Sequence, residues 1–163
     1  SRSPFQTSVV LLLSANQVAE SGTDLNIPFD LYNHPDSSKA KEADKITGYR
    51  TYSLLCMPVF SSNTGELIGV TQLLNKRHNR SKYETYVYDH TAESEIPDYF
   101  RASFTHKDEE KLRDFNIQVA AAIENARQPL MSEQANKLAQ LLQAISQLAG
   151  GFINAHKTYI YLV

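Results

Sequence analysis

The sequence is poor in most features that commit a chain to chemistry. It holds one cysteine, Cys56, and no tryptophan among 163 residues. A lone thiol excludes an internal disulfide framework and fits a reducing cytoplasm. Neither sign of charge prevails: 16 Lys+Arg face 18 Asp+Glu, a formal net charge of −2. No positive surplus exists to neutralise a phosphate backbone, so nucleic acid is not an expected partner. The longest aliphatic run, Val9 to Leu13, is far too short to span a bilayer, and no charged segment with a small-residue cleavage site opens the chain. Neither a membrane nor an export signal enters the expectation. No phosphate-cradling glycine loop occurs, since Gly22 and Gly48 belong to none. The five histidines, His34, His78, His90, His106 and His156, lack metal-ligand spacing, and the cluster of His90, Glu93 and Glu95 reads as solvated. The carboxylate pairs sit on turns or helix surfaces with no acid–base task. No metal, no resident cofactor and no catalytic residue is expected. What remains is a single domain with 42% hydrophobic and 21% charged residues, values that exclude disorder throughout.

Periodicity then gives the elements. Ser8 to Ser21 reads as a helix with Leu12, Ala15, Val18 and Ala19 on one face, ended by Gly22. Leu25-Asn26-Ile27 is a short strand closed by Pro28. Phe29 to Lys45 is polar, with His34-Pro35-Asp36-Ser37-Ser38 as turn chemistry, and reads as a covering loop with one helical turn at most. Ser53–Phe60 and Leu67–Asn75 are strands joined through Ser61 to Glu66 as a hairpin. Pro58 inside the first of them marks an edge or a bulge. Arg77 to Ser103 is polar without a clean period, although Tyr86-Val87-Tyr88 could pair locally. Cys56, in an apolar strand, reads as a buried small hydrophobe.

Thr105 opens the dominant helix, with Asp108 as the acidic partner of a capping box. Leu112, Phe115, Val119, Ala122, Ile123 and Ala126 form one stripe. Pro129 should kink the helix. Beyond it Met131, Leu138, Leu141, Ile145, Leu148 and Phe152 recur at threes and fours, a heptad seam that Gly150-Gly151 ends or loosens. Roughly 40 helical residues would reach on the order of 60 Å, against a radius of gyration near 15 Å for a compact chain of this size. The expectation is a helix that leaves the globule and pairs with a second copy in a parallel homodimer. The alternative is a helix folded back at Pro129 onto its own domain.

One constellation is specific. Asn75-Lys76 ends the second hairpin strand, and Phe104, three residues, then Asp108-Glu109 open the long helix. This resembles the Asn-Lys…Phe-x3-Asp-Glu signature of GAF domains from cyclic-nucleotide phosphodiesterases and bacterial adenylyl cyclases. Leu25-Asn26-Ile27-Pro28, the run from Asp44 through Thr47-Gly48-Tyr49-Arg50-Thr51, Leu54 to Pro58, Leu67 to Lys76, and Ile123-Glu124-Asn125-Ala126 extend the resemblance over about Leu13 to Arg127. Physically the signature reads as architecture: Lys76 leaves the sheet where Asp108 and Glu109 enter the helix, Phe104 plugs the junction, and an ion pair there fixes geometry more than it adds energy.

The resemblance implies an α+β fold: an antiparallel sheet flanked by helices and continued by a coiled-coil linker helix. GAF domains normally begin with a helix and two strands before the segment matching Ser8 to Ile27; those strands are not found here, so the domain is expected to be N-terminally incomplete. It implies a sensory domain over residues 1–128 and a linker over 129–163 leading to an effector. It also implies a cyclic nucleotide, cAMP or cGMP, as ligand of Asp44, Thr47, Thr51 and Gln72. Arg50 either approaches the phosphate or points to solvent, and Thr47 and Thr51 alternatively only cap a turn. The tail from Leu148 to Tyr159 is similar in spacing to the entry of HD-GYP phosphohydrolase domains, with Asn154 and Ile160 departing from their pattern. The expected function is a cytoplasmic regulatory module, not an enzyme, that relays ligand binding to a cyclase or HD-type phosphohydrolase. The alternative is a module that dimerises and relays without a ligand.

Overall fold

The computed structural model of the protein describes residues 4–78, 96, 98–126 and 132–163. Among the described residues four α-helices and four strands build a mixed α+β fold around one antiparallel sheet. Helix α1 (Pro4–Ser21) buries Ala15 and Val18, and Gly22 closes it by donating its N–H to the Val18 carbonyl at 2.8 Å. Strand β1 (Leu25–Ile27) pairs with β2 (Leu54–Phe60), and β2 with β3 (Leu67–Lys76). The hairpin thus falls where the residue pattern placed it. β1 covers only Leu54 to Cys56 of its neighbour, so Pro58 lies beyond the shared ladder and beside a register shift at Val59/Phe60. Edge and bulge meet at that proline.

The stretch expected as covering loop is not all loop. Two 3-10 turns, Leu31–Asn33 and Pro35–Ser37, lead into helix α2 (Ser38–Thr47). The helix was hidden because Lys39, Glu42 and Lys45 are exposed and only Ala40 and Asp44 are buried. Two inward positions are too few to write an apolar period.

Helix α3 (His106–Ala126) begins at a reciprocal cap: the Asp108 N–H donates to Thr105 Oγ1 at 3.2 Å, and the Thr105 N–H donates to Asp108 Oδ2 at 2.9 Å. Leu112, Val119, Ala122 and Ile123 of its stripe are buried. The expected protruding helix is corrected. Helix α4 (Ser132–Ile153) packs back on α3, and strand β4 (Ala155–Leu162) pairs antiparallel with β3, giving the sheet order β1-β2-β3-β4. The residues set apart as a linker thus supply a helix and a strand to the same sheet. A heptad period specifies an apolar face, not whose surface covers it. Here Ile145, Ala149 and Ile153 are buried within the chain, while Leu141, Leu148 and Phe152 stay outside at 47%, 65% and 61% exposure. Pro129 and Met131 lie outside the described residues, as do Tyr86-Val87-Tyr88 and the His90, Glu93 and Glu95 cluster. Among the described residues no strand precedes Leu25, and no helix is long and apolar enough to cross a membrane.

Two layers follow from strand alternation. Ile27, Leu54, Cys56, Val70 and Leu74 face α1 and α2, with Tyr159 and Tyr161 packed at the rim. Leu55, Met57 and Leu73 face α3 and the end of α4, and Val59 and Ile68 face Val119, Ile123 and Ile145. Each such side chain removed from water contributes on the order of 2 kcal/mol. Gly69 lets β4 approach, since a Cβ there would sit 2.8 Å from the Tyr161 carbonyl oxygen.

Candidate functional site

Gly48, at φ 74°, ends α2 in the left-handed region and donates its N–H to the Asp44 carbonyl at 2.8 Å. The chain therefore turns back, and Thr51 lands opposite Asp44. The buried Asp44 carboxylate accepts from the Thr51 N–H and Thr51 Oγ1, both at 2.7 Å, and from the Tyr32 hydroxyl at 2.8 Å. Burial pushes the Asp44 carboxyl above its ordinary range, against the pull of these hydrogen bonds and of Arg50. Burial, then the Asp44 charge, raises Tyr32 to about 12.

The other ligand candidates separate from this pair. Thr47 Oγ1 donates to the Ala43 carbonyl at 3.0 Å and accepts from the Tyr49 N–H at 3.2 Å, closing its own helix end. Arg50, expected at a phosphate or in solvent, pairs with Asp30 at 3.2 Å and lies 3.3 Å from the Tyr32 ring centroid. Gln72 is buried on the α1/α2 face of β3, and its Oε1 accepts from the Tyr161 hydroxyl at 3.1 Å. The structure thus joins Asp44 to Thr51, brings Arg50 alongside through Tyr32, and gives Gln72 a partner on β4.

The signature residues form a junction. Asn75, at φ 58° and fully buried, takes the backbone N–H of Tyr52 on Oδ1 at 2.7 Å and donates from Nδ2 to Tyr49 Oη at 2.7 Å and to the Arg50 carbonyl at 3.0 Å. Asparagine suits this place because it tolerates left-handed backbone while its amide serves both sides. Lys76 Nζ reaches Asp108 Oδ1 at 2.9 Å and also donates to the Ile153 carbonyl at the end of α4. One ammonium therefore ties β3, α3 and α4 together. Glu109, expected to share that clamp, instead accepts from Asn26 Nδ2 at 2.8 Å, which holds its carboxyl below the usual range. Phe104 is buried against Leu55, Met57 and Leu112.

Residue patterns missed the partners. Tyr49 Oη accepts from Asn75 and shares a hydrogen bond with His156 Nδ1 at 2.8 Å, with the two rings stacked within 3°. His156 is held toward its neutral form. Burial first, then the charges of Arg77 and Lys157, lower it to about 4. The alternating Tyr159-Ile160-Tyr161 was the available signal that this tail is a strand and not a linker. A cleft of about 380 Å³ lies elsewhere, lined by Arg77, Gln143, Ser146, Gln147 and Thr158 among others, and contains none of the expected ligand residues.

The GAF domain family matches residues 1–123. Two relatives carry similar segments. The chain is 54% identical over 59 residues to a dual 3',5'-cyclic-AMP and -GMP phosphodiesterase 11A of Takifugu rubripes, covering 36% of this chain and 6% of that protein. It is 52% identical over 62 residues to a dual 3',5'-cyclic-AMP and -GMP phosphodiesterase 11 of Drosophila melanogaster, covering 38% of this chain and 4% of that one. The matches thus span only a small part of those proteins.

Proposed function

Because this chain belongs to the GAF domain family, we propose that it is a regulatory module that binds a cyclic nucleotide, cAMP or cGMP, and relays occupancy to a downstream effector in the cytoplasm. The observation that carries this reading is the shared sheet face. The Asp44-to-Thr51 segment and Gln72 come to one sheet face, in a chain similar to proteins named as dual cyclic-AMP and cyclic-GMP phosphodiesterases. The module does no chemistry of its own. Its relay runs through Lys76, where a change at the sheet reaches both α3 and α4. Two copies pair in parallel through the outer strip of α4 at Leu141, Leu148 and Phe152, and the effector is a nucleotide cyclase or an HD-type phosphohydrolase. Such a relay needs two states of different ligand affinity.

A second reading has its own support. Asp44 and Thr51 already satisfy each other, as they would in a module that dimerises and relays without a ligand. Titration calorimetry of the chain with cAMP and cGMP separates the two. Saturable heat with either nucleotide supports the first reading, and silence with both leaves the second. Sedimentation equilibrium tests the pairing: a dimer that becomes a monomer in Leu148→Glu is the expected result, and a wild-type monomer at all concentrations overturns it.

A further inference from the structure

We infer that β4 supplies the anion-binding half of the ligand site, with the ligand's phosphate at the Lys157 ammonium, its planar base against Tyr159, and its base edge at the Gln72 amide. This rests on the nucleotide reading above and names residues outside the expected ligand set.

The first support is an uncompensated charge. Lys157 is half-buried, and among the described residues no carboxylate lies within ion-pair distance of it. Its described contact is the face of the Tyr49 ring, 4.3 Å from the ammonium. Burial lowers the Lys157 pKa with no acidic neighbour opposing it. Buried charges are ordinarily paired, so an ammonium held this way is set up to receive an anion. Arg77 adds to the same positive field, since both cations bear on His156. The Asp44 cluster offers the opposite: its carboxylate already has three donors and would repel a phosphate.

The second support is spacing. Lys157, Tyr159 and Tyr161 alternate onto one face of β4, opposite Leu74, Gln72 and Val70 of β3. Residues two apart on a strand are about 7 Å apart, close to the reach from a nucleotide's phosphate to its base. The Tyr159 and Tyr161 rings lie 17° from parallel with centroids 6.1 Å apart, a half-buried aromatic wall. The Tyr161 hydroxyl engages the Gln72 Oε1, which leaves the Gln72 Nε2 donor to meet an acceptor on the base.

The experiment is calorimetry of the intact chain with cAMP, cGMP, 5'-AMP and inorganic phosphate, repeated on Lys157→Met and Lys157→Arg, with melting temperatures recorded for each. The expected result is that a nucleotide binds, Lys157→Met weakens it about tenfold, Lys157→Arg restores most of the affinity, and the melting temperature does not fall. A cyclic ligand is favoured if cAMP or cGMP binds tighter than 5'-AMP, and a general nucleoside-phosphate site if the three are equal. Phosphate alone binding as tightly as the nucleotides overturns the aromatic half of the site. Nucleotide binding that is unchanged in Lys157→Met overturns the assignment to β4 and leaves the nucleotide reading standing. No binding by the wild-type chain overturns both.

Discussion

Two charged groups stand on the same sheet face and live under opposite conditions. The Asp44 carboxylate is more buried and has three donors, one from the Thr51 backbone, one from its hydroxyl and one from Tyr32. The Lys157 ammonium is half-buried and, among the described residues, meets an aromatic face and no carboxylate. A charge served by three donors holds its surroundings in place, because removing it strands the donors that served it. A charge without a counter-ion contributes little to the fold and keeps its capacity for something from outside. The comparison divides the face into a part that organises α2 and a part that can respond.

The sharpest way to break that division is a pair of substitutions. Asp44→Ala leaves the Thr51 N–H and two hydroxyls without an acceptor and should cost about 3 kcal/mol, whereas Lys157→Met should leave the urea midpoint unchanged or raise it. Equal losses in the two variants would erase the distinction. A smaller effect is expected at Gly69, where a Cβ would press on the Tyr161 carbonyl at 2.8 Å. Gly69→Ala should cost about 2 kcal/mol, with faster amide exchange confined to β4 and unchanged protection in β1. Uniform loss of protection would mean that β4 does not dock as a separate layer of stability.

A pH dependence completes the comparison. His156 is held near 4 in the fold against an ordinary 6.5, so between those values the unfolded chain binds more protons than the folded one. Stability should fall as pH drops through that window and level off below about 4. Asp44 has a raised pKa and works in the opposite sense at the acid end, because acidification relieves its buried charge. The difference between wild type and His156→Gln isolates the histidine. Parallel stability–pH curves for the two proteins would contradict its neutral, Tyr49-bonded state.

Much of this was legible in the residues and some was not, for identifiable reasons. The hairpin of β2 and β3 announced itself through long apolar runs and a turn rich in Asn and Gly. The Thr105 and Asp108 cap and the Lys76–Asp108 pair were readable because caps and ion pairs depend on residue types at fixed offsets. Helix α2 was not, since its inward side is one alanine and one aspartate. The tail misled because Leu141, Ile145, Leu148 and Phe152 have the spacing of a coil seam, yet Ile145 belongs to the chain's own core. At the expected ligand residues, types were informative and partners were not: nothing in Arg50 as a letter says that Asp30 and Tyr32 will hold it.

The place of β4 bears on how the protein is made. β2 and β3 are joined by a tight turn and can associate as soon as they emerge from a ribosome, while the residue that pairs with Lys76 is Ala155, about eighty positions later. Until translation reaches it, the outer margin of β3 is a row of open amides and carbonyls beside apolar side chains, a surface prone to stray association. The nascent chain therefore passes through a vulnerable interval, and slowing elongation after α3 should raise its dependence on chaperones.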